Sequence, residues 1–274
     1  MKMEFLKIWV VFLFFFNLEG YAQKPVLPEN KHRFIVIAHR GDHVNAPENT
    51  LEAFEHAIEQ DADYVEIDLR TSRDSQLVIM HDASTDRMTG IKGSVKDFTF
   101  DSLRQMKVSD KQHPEWKAEQ IPSFNEVLQL CRHKIHIYLD FKEASVQKAY
   151  AEILKAGMEH EIVVYINAPQ QYIDWRKIAP DMPLMISLPH AIKSATEMTR
   201  FLKSFHISVL DGNYDEYNQE TLLAAREQGV PVWADIQSAT EHLNWEKAIA
   251  SGLKGLQTDH PADLIQYLKS KGIR

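Results

Sequence analysis

Short apolar runs alternate with amphipathic segments of helical period from about residue 30 onward, and this alternation constrains the fold more than any other feature. Each run has four to six residues, which is the length of a strand buried on both faces of a parallel sheet. Strands that alternate with helices are typical of α/β folds. The eight runs are Phe34–Ala38, Tyr64–Leu69, Ile135–Leu139, Ile162–Ile166, Leu184–Ser187, Ile207–Leu210, Val230–Ala234 and Gly255–Thr258.

The segments between the runs have the apolar spacing of helices that pack one face against a sheet. Ser123 and Glu126 form the sequence signature of a capping box, and Gly229 and Gly252 follow two of the segments, as is common after a helix. The predicted helices are Thr50–Ile58, Ser123–Cys131, Val146–Leu154, Gln171–Ile178, Thr196–Phe205, Gln219–Gln228, Glu241–Ala250 and Pro261–Lys269.

Eight strands, each followed by a helix within roughly 240 residues, predict a (β/α)8 TIM barrel. A doubly wound open sheet would produce the same local alternation. The count of eight and the lack of a glycine-rich phosphate loop favour the barrel.

One stretch of the chain, residues 82–122, is too long for a simple connection between a strand and its helix. Gln76–Met80 predicts an additional strand just before it, and the stretch itself is polar and rich in turn-forming residues. We therefore expect a small insertion after the second strand, at about residues 82–122, lying over the barrel mouth. Because no repeat or linker marks a second domain, residues 23–274 are predicted to form one domain.

The first 22 residues have the three-part pattern of a secretory signal peptide. Lys2 and Lys7 form a basic start, Ile8–Phe16 is an unbroken apolar run, and small residues precede a cleavage point near Ala22. Nine apolar residues are far fewer than the roughly 20 that span a membrane. The sequence therefore predicts an exported protein, periplasmic or secreted, with no stable membrane anchor.

The chain is acidic, with 31 Lys and Arg residues against 39 Asp and Glu residues and a formal net charge of −8. Binding to nucleic acid depends on clustered cations, so this surface argues against a nucleic-acid partner. A small phosphate-containing substrate would have to be held by a few local cations or by a metal ion.

Polar side chains stand where several of the predicted strands end. His39 follows the first strand, Glu66 and Asp68 lie in the second, His81 ends the additional strand, and Asp140 ends the third. In a barrel of this kind the catalytic groups come from the carboxyl ends of the strands and the loops after them. We therefore expect these five side chains to lie close together.

The carboxylates predict a metal site. Glu66 and Asp68 are two residues apart in a strand and so point to the same side, where two like charges are unfavourable without a cation between them. The alternative is a solvated strand edge with ion pairs to Arg70 and Arg73. Asp140 at a neighbouring strand end completes an all-oxygen ligand set, which suits one divalent cation, Mg²⁺ or Ca²⁺, rather than zinc.

The two histidines indicate acid–base chemistry. A single histidine after a strand is more often structural than catalytic, but two beside a carboxylate cluster favour proton transfer, because imidazole titrates near neutral pH. Arg40 would offer a planar fork of donors to a phosphate, and Lys142 would offer a point charge.

Together these residues resemble the glycerophosphodiester phosphodiesterase family, in order from about residue 34 to residue 266. The segments from the first histidine to the second are the most specific. The matching segments are His39-Arg40-Gly41, Pro47-Glu48-Asn49-Thr50, Ala53-Phe54, Glu66-Ile67-Asp68, Val78-Ile79-Met80-His81-Asp82, Asp86-Arg87-Met88-Thr89, Ile121-Pro122-Ser123-Phe124, Tyr138-Leu139-Asp140-Phe141-Lys142, Val232-Trp233, and Gly255-Leu256-Gln257-Thr258-Asp259 followed by Pro261.

The resemblance implies a barrel with a small insertion after the second strand, a divalent metal, and hydrolysis of glycerophosphodiesters to glycerol 3-phosphate and an alcohol. One histidine would deprotonate the attacking hydroxyl, from the substrate's glycerol or from water, and the other would protonate the leaving alcohol. By resemblance the roles are acid–base for His39 and His81, metal binding for Glu66, Asp68 and Asp140, substrate binding for Arg40, Lys142 and Trp233, and support of the site for Glu48.

The chain departs from the family pattern where the alcohol part of a substrate would lie. Asn167 follows the fourth strand in place of a Ser-Phe pair, and Asp235 stands in the segment after Trp233 where Thr-Val-Asn is usual. Asp140 replaces the usual Glu among the metal ligands. The alcohol therefore stays open, with lysophospholipase D-like action on another hydroxyl-bearing diester, or glycerol phosphate binding without turnover, as alternatives.

Overall fold

Eight parallel strands form the barrel that the alternating pattern predicts. The computed structural model describes residues 25–109 and 113–274, so the predicted signal peptide, residues 1–22, lies outside the described residues and stays a prediction. Numbered in chain order with three short additional strands, the strands are β1 Ile35–Ala38, β2 Tyr64–Thr71, β3 Leu77–Ile79, β4 Lys107–Val108, β5 Glu119–Gln120, β6 His136–Phe141, β7 Ile162–Ile166, β8 Leu184–Ser187, β9 Val209–Asp211, β10 Trp233–Asp235 and β11 Gly255–Thr258.

The barrel sheet runs in the order β10-β11-β1-β2-β6-β7-β8-β9, with parallel neighbours throughout. Isolated bridges from Leu210 to Val232 and from Asn213 to Asp235 join β9 to β10 and close the circle. Since β1 lies between β11 and β2, the first and last strands of the chain are neighbours. This closure brings side chains from the two ends of the sequence to one mouth.

Ten α-helices accompany the strands in the described residues. Seven of the eight predicted helices are confirmed to within two residues. Ser123 caps its helix as predicted, because its Oγ accepts from the backbone N–H of Glu126 at 3.2 Å. The helices are α1 Leu51–Glu59, α2 Asp86–Thr89, α3 Phe100–Gln105, α4 Phe124–Cys131, α5 Val146–Ala156, α6 Pro169–Ile178, α7 Ala195–Ser204, α8 Gln219–Glu227, α9 Trp245–Ala250 and α10 Pro261–Ser270.

The prediction of one helix over Glu241–Ala250 is wrong in part. A 3-10 turn at Glu241–Leu243 precedes α9, which starts only at Trp245. The Glu241 carboxylate turns toward the barrel, where it accepts from the backbone N–H of Asp259 at 3.1 Å. A side chain held in this way keeps the first turn out of line with the helix that follows.

The core has two layers, one inside the barrel and one between the strands and the outer helices. Alternate residues of each strand point to the two sides, which is why the strands are apolar throughout. The inner layer is aromatic and aliphatic and forms the floor below the site. Its buried members are Ile35, Ile37, Tyr64, Tyr138, Val163, Tyr165, Met185, Val209 and Trp233.

The insertion forms a small unit with its own apolar core. It follows β3, which pairs antiparallel with β2, and it contains α2, α3 and the β4–β5 hairpin. The backbone N–H of Arg73 donates to the carbonyl of Phe98 at 2.8 Å, which ties the unit to the end of β2. Within the described residues no helix is long and apolar enough to cross a membrane.

Candidate active site

A polar cavity of about 190 Å³ opens at the carboxyl ends of the barrel strands. Predicted site residues from different parts of the chain meet in this cavity, because the closed barrel brings the ends of their strands together. Five of those that line it are His39, Glu66, Asp68, His81 and Asp140. The full lining is His39, Glu66, Asp68, His81, Tyr138, Asp140, Lys142, Tyr165, Asn167, Asp211, Asp235, Gln237 and Gln257.

Glu66, Asp68 and Asp140 form a buried carboxylate cluster. One oxygen of each lies within 4.8 Å of the others, and all three side chains are buried. Asp68 and Asp140 are register partners across β2 and β6, which explains why two residues 72 positions apart share one site. Three carboxylate oxygens at this spacing can surround one cation.

Burial and mutual repulsion make this cluster unfavourable when all three groups are charged. Burial raises the pKa of Glu66 well above its usual value, and the charges of Asp68 and Asp140 raise it further. Burial also raises the pKa of Asp140. Burial acts in the same direction on Asp68, but the positive charges of Lys142, His81 and Arg40 outweigh it, so the pKa of Asp68 is lowered.

Two cations from the chain stand beside the cluster. The ammonium of Lys142 pairs with Asp140 and lies 3.2 Å from Oδ1 of Asp68. Nε of Arg40 lies 3.7 Å from Oδ2 of Asp68, and the backbone N–H of Arg40 donates to Oε2 of Glu66 at 2.8 Å. The carboxylates hold the pKa of Lys142 above its usual value despite its burial, so this residue stays charged.

The cluster fits a hard divalent cation. Oδ1 of Asp68 is buried and has no hydrogen bond beyond its ion pair with Lys142 at 3.2 Å, whereas its Oδ2 accepts from the Asn49 side chain at 2.7 Å. A buried carboxylate oxygen is unfavourable unless donors or cations surround it. All-oxygen ligands of this kind are those that Mg²⁺ and Ca²⁺ prefer.

His39 is oriented by a carboxylate from the far end of the chain. Nδ1 of His39 lies 2.7 Å from Oδ1 of Asp259, which follows β11. His43 lies on the other side of Asp259, with Nε2 3.5 Å from the same oxygen and Nδ1 2.8 Å from the carbonyl of His39. Because Asp259 occupies Nδ1 of His39, Nε2 is the nitrogen left for a substrate.

His81 is held in the same way by its sequence neighbour. Its Nδ1 lies 2.8 Å from Oδ1 of Asp82, and Nε of Arg87 donates to the other oxygen of Asp82 at 2.6 Å. Although partial burial favours a higher value, the hydrogen bonds and charges of Arg87 and His81 lower the pKa of Asp82 to about 2. Asp82 is therefore ionised at neutral pH.

Glu48 connects the insertion to the phosphate-binding candidate Arg40. Arg87 donates to both carboxylate oxygens of Glu48, at 2.8 and 2.6 Å, and Nη1 of Arg40 donates to Oε1 at 3.1 Å. The burial of Glu48 opposes ionisation, but these two guanidinium groups lower the pKa of Glu48. The carboxylate of Glu48 thus positions Arg40 at the edge of the carboxylate cluster. The family resemblance implies a supporting role of this kind for Glu48.

A tight loop after β1 sets the position of Arg40. Arg40, Gly41 and Asn49 have φ values of 54°, 82° and 56°, in the left-handed region. A Cβ on Gly41 would meet backbone atoms of Ala53 at 2.8 Å, so the loop can pack against α1 only with glycine there. The backbone N–H of Asn49 donates to the carbonyl of Arg40 at 3.0 Å and closes the loop.

The side of the cavity opposite the carboxylate cluster is acidic as well. Asp211 and Asp235 end β9 and β10 there, and Gln257 of β11 donates to Oδ1 of Asp235 at 2.6 Å. The hydroxyl of Tyr138 donates to Oδ2 of Asp211 at 3.2 Å, and Tyr165 lies beside it in the lining. Burial raises the pKa of Asp211 well above its usual value, and the charge of Asp235 raises it further.

Three sequence-predicted residues do not line the cavity, namely Arg40, Glu48 and Trp233. Arg40 contacts Glu66 and Asp68 of the lining, and Glu48 contacts Arg40. The third, Trp233, belongs to the floor of the barrel. Its side chain is buried in the inner layer of the barrel, with its ring centroid 4.9 Å from that of Tyr64, and it does not line the cavity. The side chain points into the floor because Trp233 begins β10, whereas Asp235, two residues later, reaches the mouth.

Sequence reasoning missed the part played by four residues of the site. Asp259 and Asp82 stand at strand ends, but nothing in the sequence pairs them with particular histidines. Asp211 ends β9, one residue beyond the strand predicted at Ile207–Leu210. A polar residue directly after a buried strand could have indicated that it belongs to the site. Arg87 belongs to the insertion, and no periodicity predicts that it reaches Glu48.

Three comparisons with known proteins show what this chain is similar to. Residues 39–263 match the model of the glycerophosphoryl diester phosphodiesterase family. The chain is 27% identical to a glycerophosphodiester phosphodiesterase of Caldanaerobacter subterraneus over 245 residues, which cover 87% of this chain and 99% of the relative.

Solved structures of similar proteins share the fold. A glycerophosphodiester phosphodiesterase from Agrobacterium tumefaciens aligns with a TM-score of 0.76 at 22% identity, over 85% of this chain and 99% of the other. An Oleispira antarctica phosphodiesterase in complex with the product sn-glycerol-3-phosphate aligns with a TM-score of 0.73 at 22% identity, over 86% of this chain and 96% of the other.

Proposed function

The chain belongs to the glycerophosphoryl diester phosphodiesterase family, and from this membership and the site we propose that it hydrolyses glycerophosphodiesters to glycerol 3-phosphate and an alcohol with the help of one divalent cation. The observation that carries the proposal is that two carboxylate-anchored histidines line the same cavity as a buried three-carboxylate cluster. Binding of a glycerol phosphate without turnover would need neither of the anchored histidines.

The two histidines move the protons. Asp259 and Asp82 each take up Nδ1 of one imidazole, which leaves both Nε2 atoms free for the cavity. One Nε2 removes the proton from the attacking hydroxyl, which belongs to the substrate's glycerol or to water, and the other gives a proton to the leaving alcohol oxygen. If the glycerol hydroxyl attacks, the cyclic phosphate that forms is then opened by water, with the two histidines in reversed roles, to give glycerol 3-phosphate. The carboxylates stabilise whichever imidazole becomes positively charged.

Arg40 and Lys142 stabilise the negative charge on the phosphorus oxygens. Arg40 is fixed by Glu48 and by its own backbone N–H to Glu66, so its guanidinium needs little rearrangement when a phosphate binds. Lys142 contributes an ammonium that the carboxylates keep charged.

Glu66, Asp68 and Asp140 are the residues that would hold the cation, Mg²⁺ or Ca²⁺. A bound divalent cation supplies Lewis-acid stabilisation of negative charge on the phosphorus oxygens. Asn49 orients Asp68 for this purpose by donating to its Oδ2.

The lining of the cavity favours a small polar substrate over a lysophospholipid. Every residue that lines it carries a polar or charged group, so the cavity offers no apolar wall for an acyl chain. A lysophospholipase D-like reaction would need such a wall beside the phosphate site, so the structure favours the glycerophosphodiester reaction.

The proposal is tested by incubating the purified protein with a panel of glycerophosphodiesters in the presence of Mg²⁺, Ca²⁺ or a chelator. We expect release of glycerol 3-phosphate with a divalent cation and its loss with the chelator. Failure to cleave any diester with either cation would contradict the proposed function, and full activity in the chelator would contradict its metal dependence alone.

A further inference from the structure

Opposite the carboxylate cluster, the cavity has an acidic wall that consists of Asp211, Asp235 and Gln257. This acidic wall has no part in the chemistry described above. Asp211 is buried and Asp235 is half-buried, and their carboxyl groups interact directly where β9 and β10 meet at the barrel closure. All three residues line the same cavity as the two histidines. A group of the substrate that extends away from the phosphate would therefore contact this wall.

The acidic wall differs from the carboxylate cluster in its cations, since the electrostatic partner of Asp235 is His39 rather than a lysine or arginine. Lys142 pairs with Asp68 and Asp140 in the carboxylate cluster. Across residues 25–109 and 113–274, by contrast, no lysine or arginine forms an ion pair with Asp211 or Asp235. A positively charged group of the substrate would add a positive charge there.

The hydrogen bonds of the acidic wall leave acceptor atoms free for a ligand. The side-chain amides of Gln257 and Gln237 donate to Oδ1 of Asp235, at 2.6 and 3.1 Å, and Tyr138 donates to Oδ2 of Asp211 at 3.2 Å. Oδ1 of Asp211 and Oε1 of Gln257 are buried without any hydrogen-bond partner. Buried acceptors of this kind are unfavourable until a donor reaches them.

Resting on the proposed function, we propose that the acidic wall binds a primary ammonium group on the alcohol part of the substrate, as in a diester of glycerol phosphate with an amino alcohol. A primary ammonium carries one positive charge and three N–H donors and has no acceptor. These properties match two buried acceptors beside a carboxyl pair whose mutual repulsion an ammonium would relieve. A hydroxyl lacks the charge, and a quaternary ammonium lacks the N–H donors.

The size of the cavity suits a short amino alcohol. The histidines and the acidic wall line one cavity of about 190 Å³, so a short alcohol would reach from the phosphate to the wall. Ethanolamine is the simplest alcohol with a primary ammonium at this reach, which makes glycerophosphoethanolamine the substrate to test.

The test compares kcat/KM for glycerophosphoethanolamine, glycerophosphoglycerol and glycerophosphocholine. We expect the ethanolamine diester to exceed each of the others by about tenfold or more, since hydrogen bonds between charged groups are worth that much in binding. In Asp211→Asn and Asp235→Asn, which keep the size of the side chain, the ratio of ethanolamine to glycerol diester should fall toward one. Asp215→Asn removes an exposed charge from the loop after β9 and should leave the ratio unchanged.

A binding measurement distinguishes failure of this inference from failure of the proposed function. Calorimetry of the same three diesters with His39→Ala, which retains the acidic wall, should give a dissociation constant for the ethanolamine diester about tenfold or more below the others. A preference for the glycerol or choline diester, equal affinities, or a ratio unchanged in both aspartate variants would overturn the inference. Loss of turnover on every diester, with the binding preference intact, would contradict only the proposed function. If neither variant folds, the wild-type and His39→Ala comparisons still decide it.

Discussion

Asp259 accepts from Nδ1 of His39 at 2.7 Å, although the two residues are 220 positions apart in the sequence. The pairing exists because β1 and β11 are adjacent in the closed barrel. His81 and Asp82 make the equivalent contact at 2.8 Å from within a single turn of the chain. Both imidazoles are therefore presented to the cavity through Nε2, and the two histidines differ in how their anchoring carboxylates are held.

Asp259 is a positioning residue for His39, and Asp259→Asn should separate orientation from charge. An asparagine keeps the shape but loses the negative charge that stabilises imidazolium, so kcat should fall by about tenfold or more while KM changes little. The limb of the pH–rate profile that reports His39 should also shift toward lower pH, because loss of the Asp259 charge disfavours the imidazolium form. An unchanged profile with reduced kcat would point to a purely structural role.

Asp68→Asn should weaken cation binding. Asp68 is the most deeply buried of the three candidate ligands, and its Oδ1 lacks a hydrogen bond and already attracts the ammonium of Lys142 at 3.2 Å. We expect the Mg²⁺ or Ca²⁺ concentration for half-maximal activity to rise by about 10-fold or more. The exposed Asp101→Asn in the insertion is the matched control and should not move the titration. Equal titrations for the wild type and Asp68→Asn would exclude Asp68 as a ligand.

The effect of a cation on stability should grow with pH. Because the folded-state pKa of Glu66 is raised, the metal-free folded protein binds more protons than the unfolded chain above the usual carboxyl range, so its stability falls as pH rises through that window. A cation replaces the proton and removes this loss. The increase in Tm on adding Mg²⁺ or Ca²⁺ should therefore be larger at about pH 8 than at about pH 6. An increase that shrinks with pH would contradict the carboxylate assignment.

Gly41→Ala should destabilise the protein and displace Arg40. The φ of 82° alone would cost a non-glycine residue about 1–2 kcal/mol, and the approach of Ala53 to 2.8 Å adds a clash with backbone that cannot yield. Gly90→Ala is the matched control, since Gly90 has a φ of 72° but no heavy atom within 4 Å of its Cβ position. Thermal unfolding should show a clearly larger loss for Gly41→Ala, accompanied by a raised KM. Equal losses would mean that the close packing of the loop is unimportant.

The barrel was predictable from the sequence because its strands are buried on both faces and each is followed by an amphipathic helix. The carboxylate cluster was predictable for a related reason: Glu66 and Asp68 share a strand face, and Asp140 stands at a neighbouring strand end. These inferences need only local periodicity and the rule that the carboxyl ends of parallel strands meet at one face.

Other features required the three-dimensional structure. The contact between Asp259 and His39 depends on barrel closure, and the contact between Arg87 and Glu48 depends on how the insertion folds back over the mouth. The position of Trp233 depends on how deep in the barrel β10 begins, because Trp233 and Asp235 point to the same inner side and only the later residue reaches the mouth. Sequence periodicity does not specify these three relationships.

The most direct test of the central claim is the single-turnover rate of glycerophosphodiester cleavage in the wild type, His39→Ala and His81→Ala, each saturated with the divalent cation. If both histidines transfer protons, each variant should lose about 10²- to 10⁴-fold in rate, while cation affinity stays close to that of the wild type. A rate for either variant within about threefold of the wild type would remove that histidine from the mechanism and contradict the account.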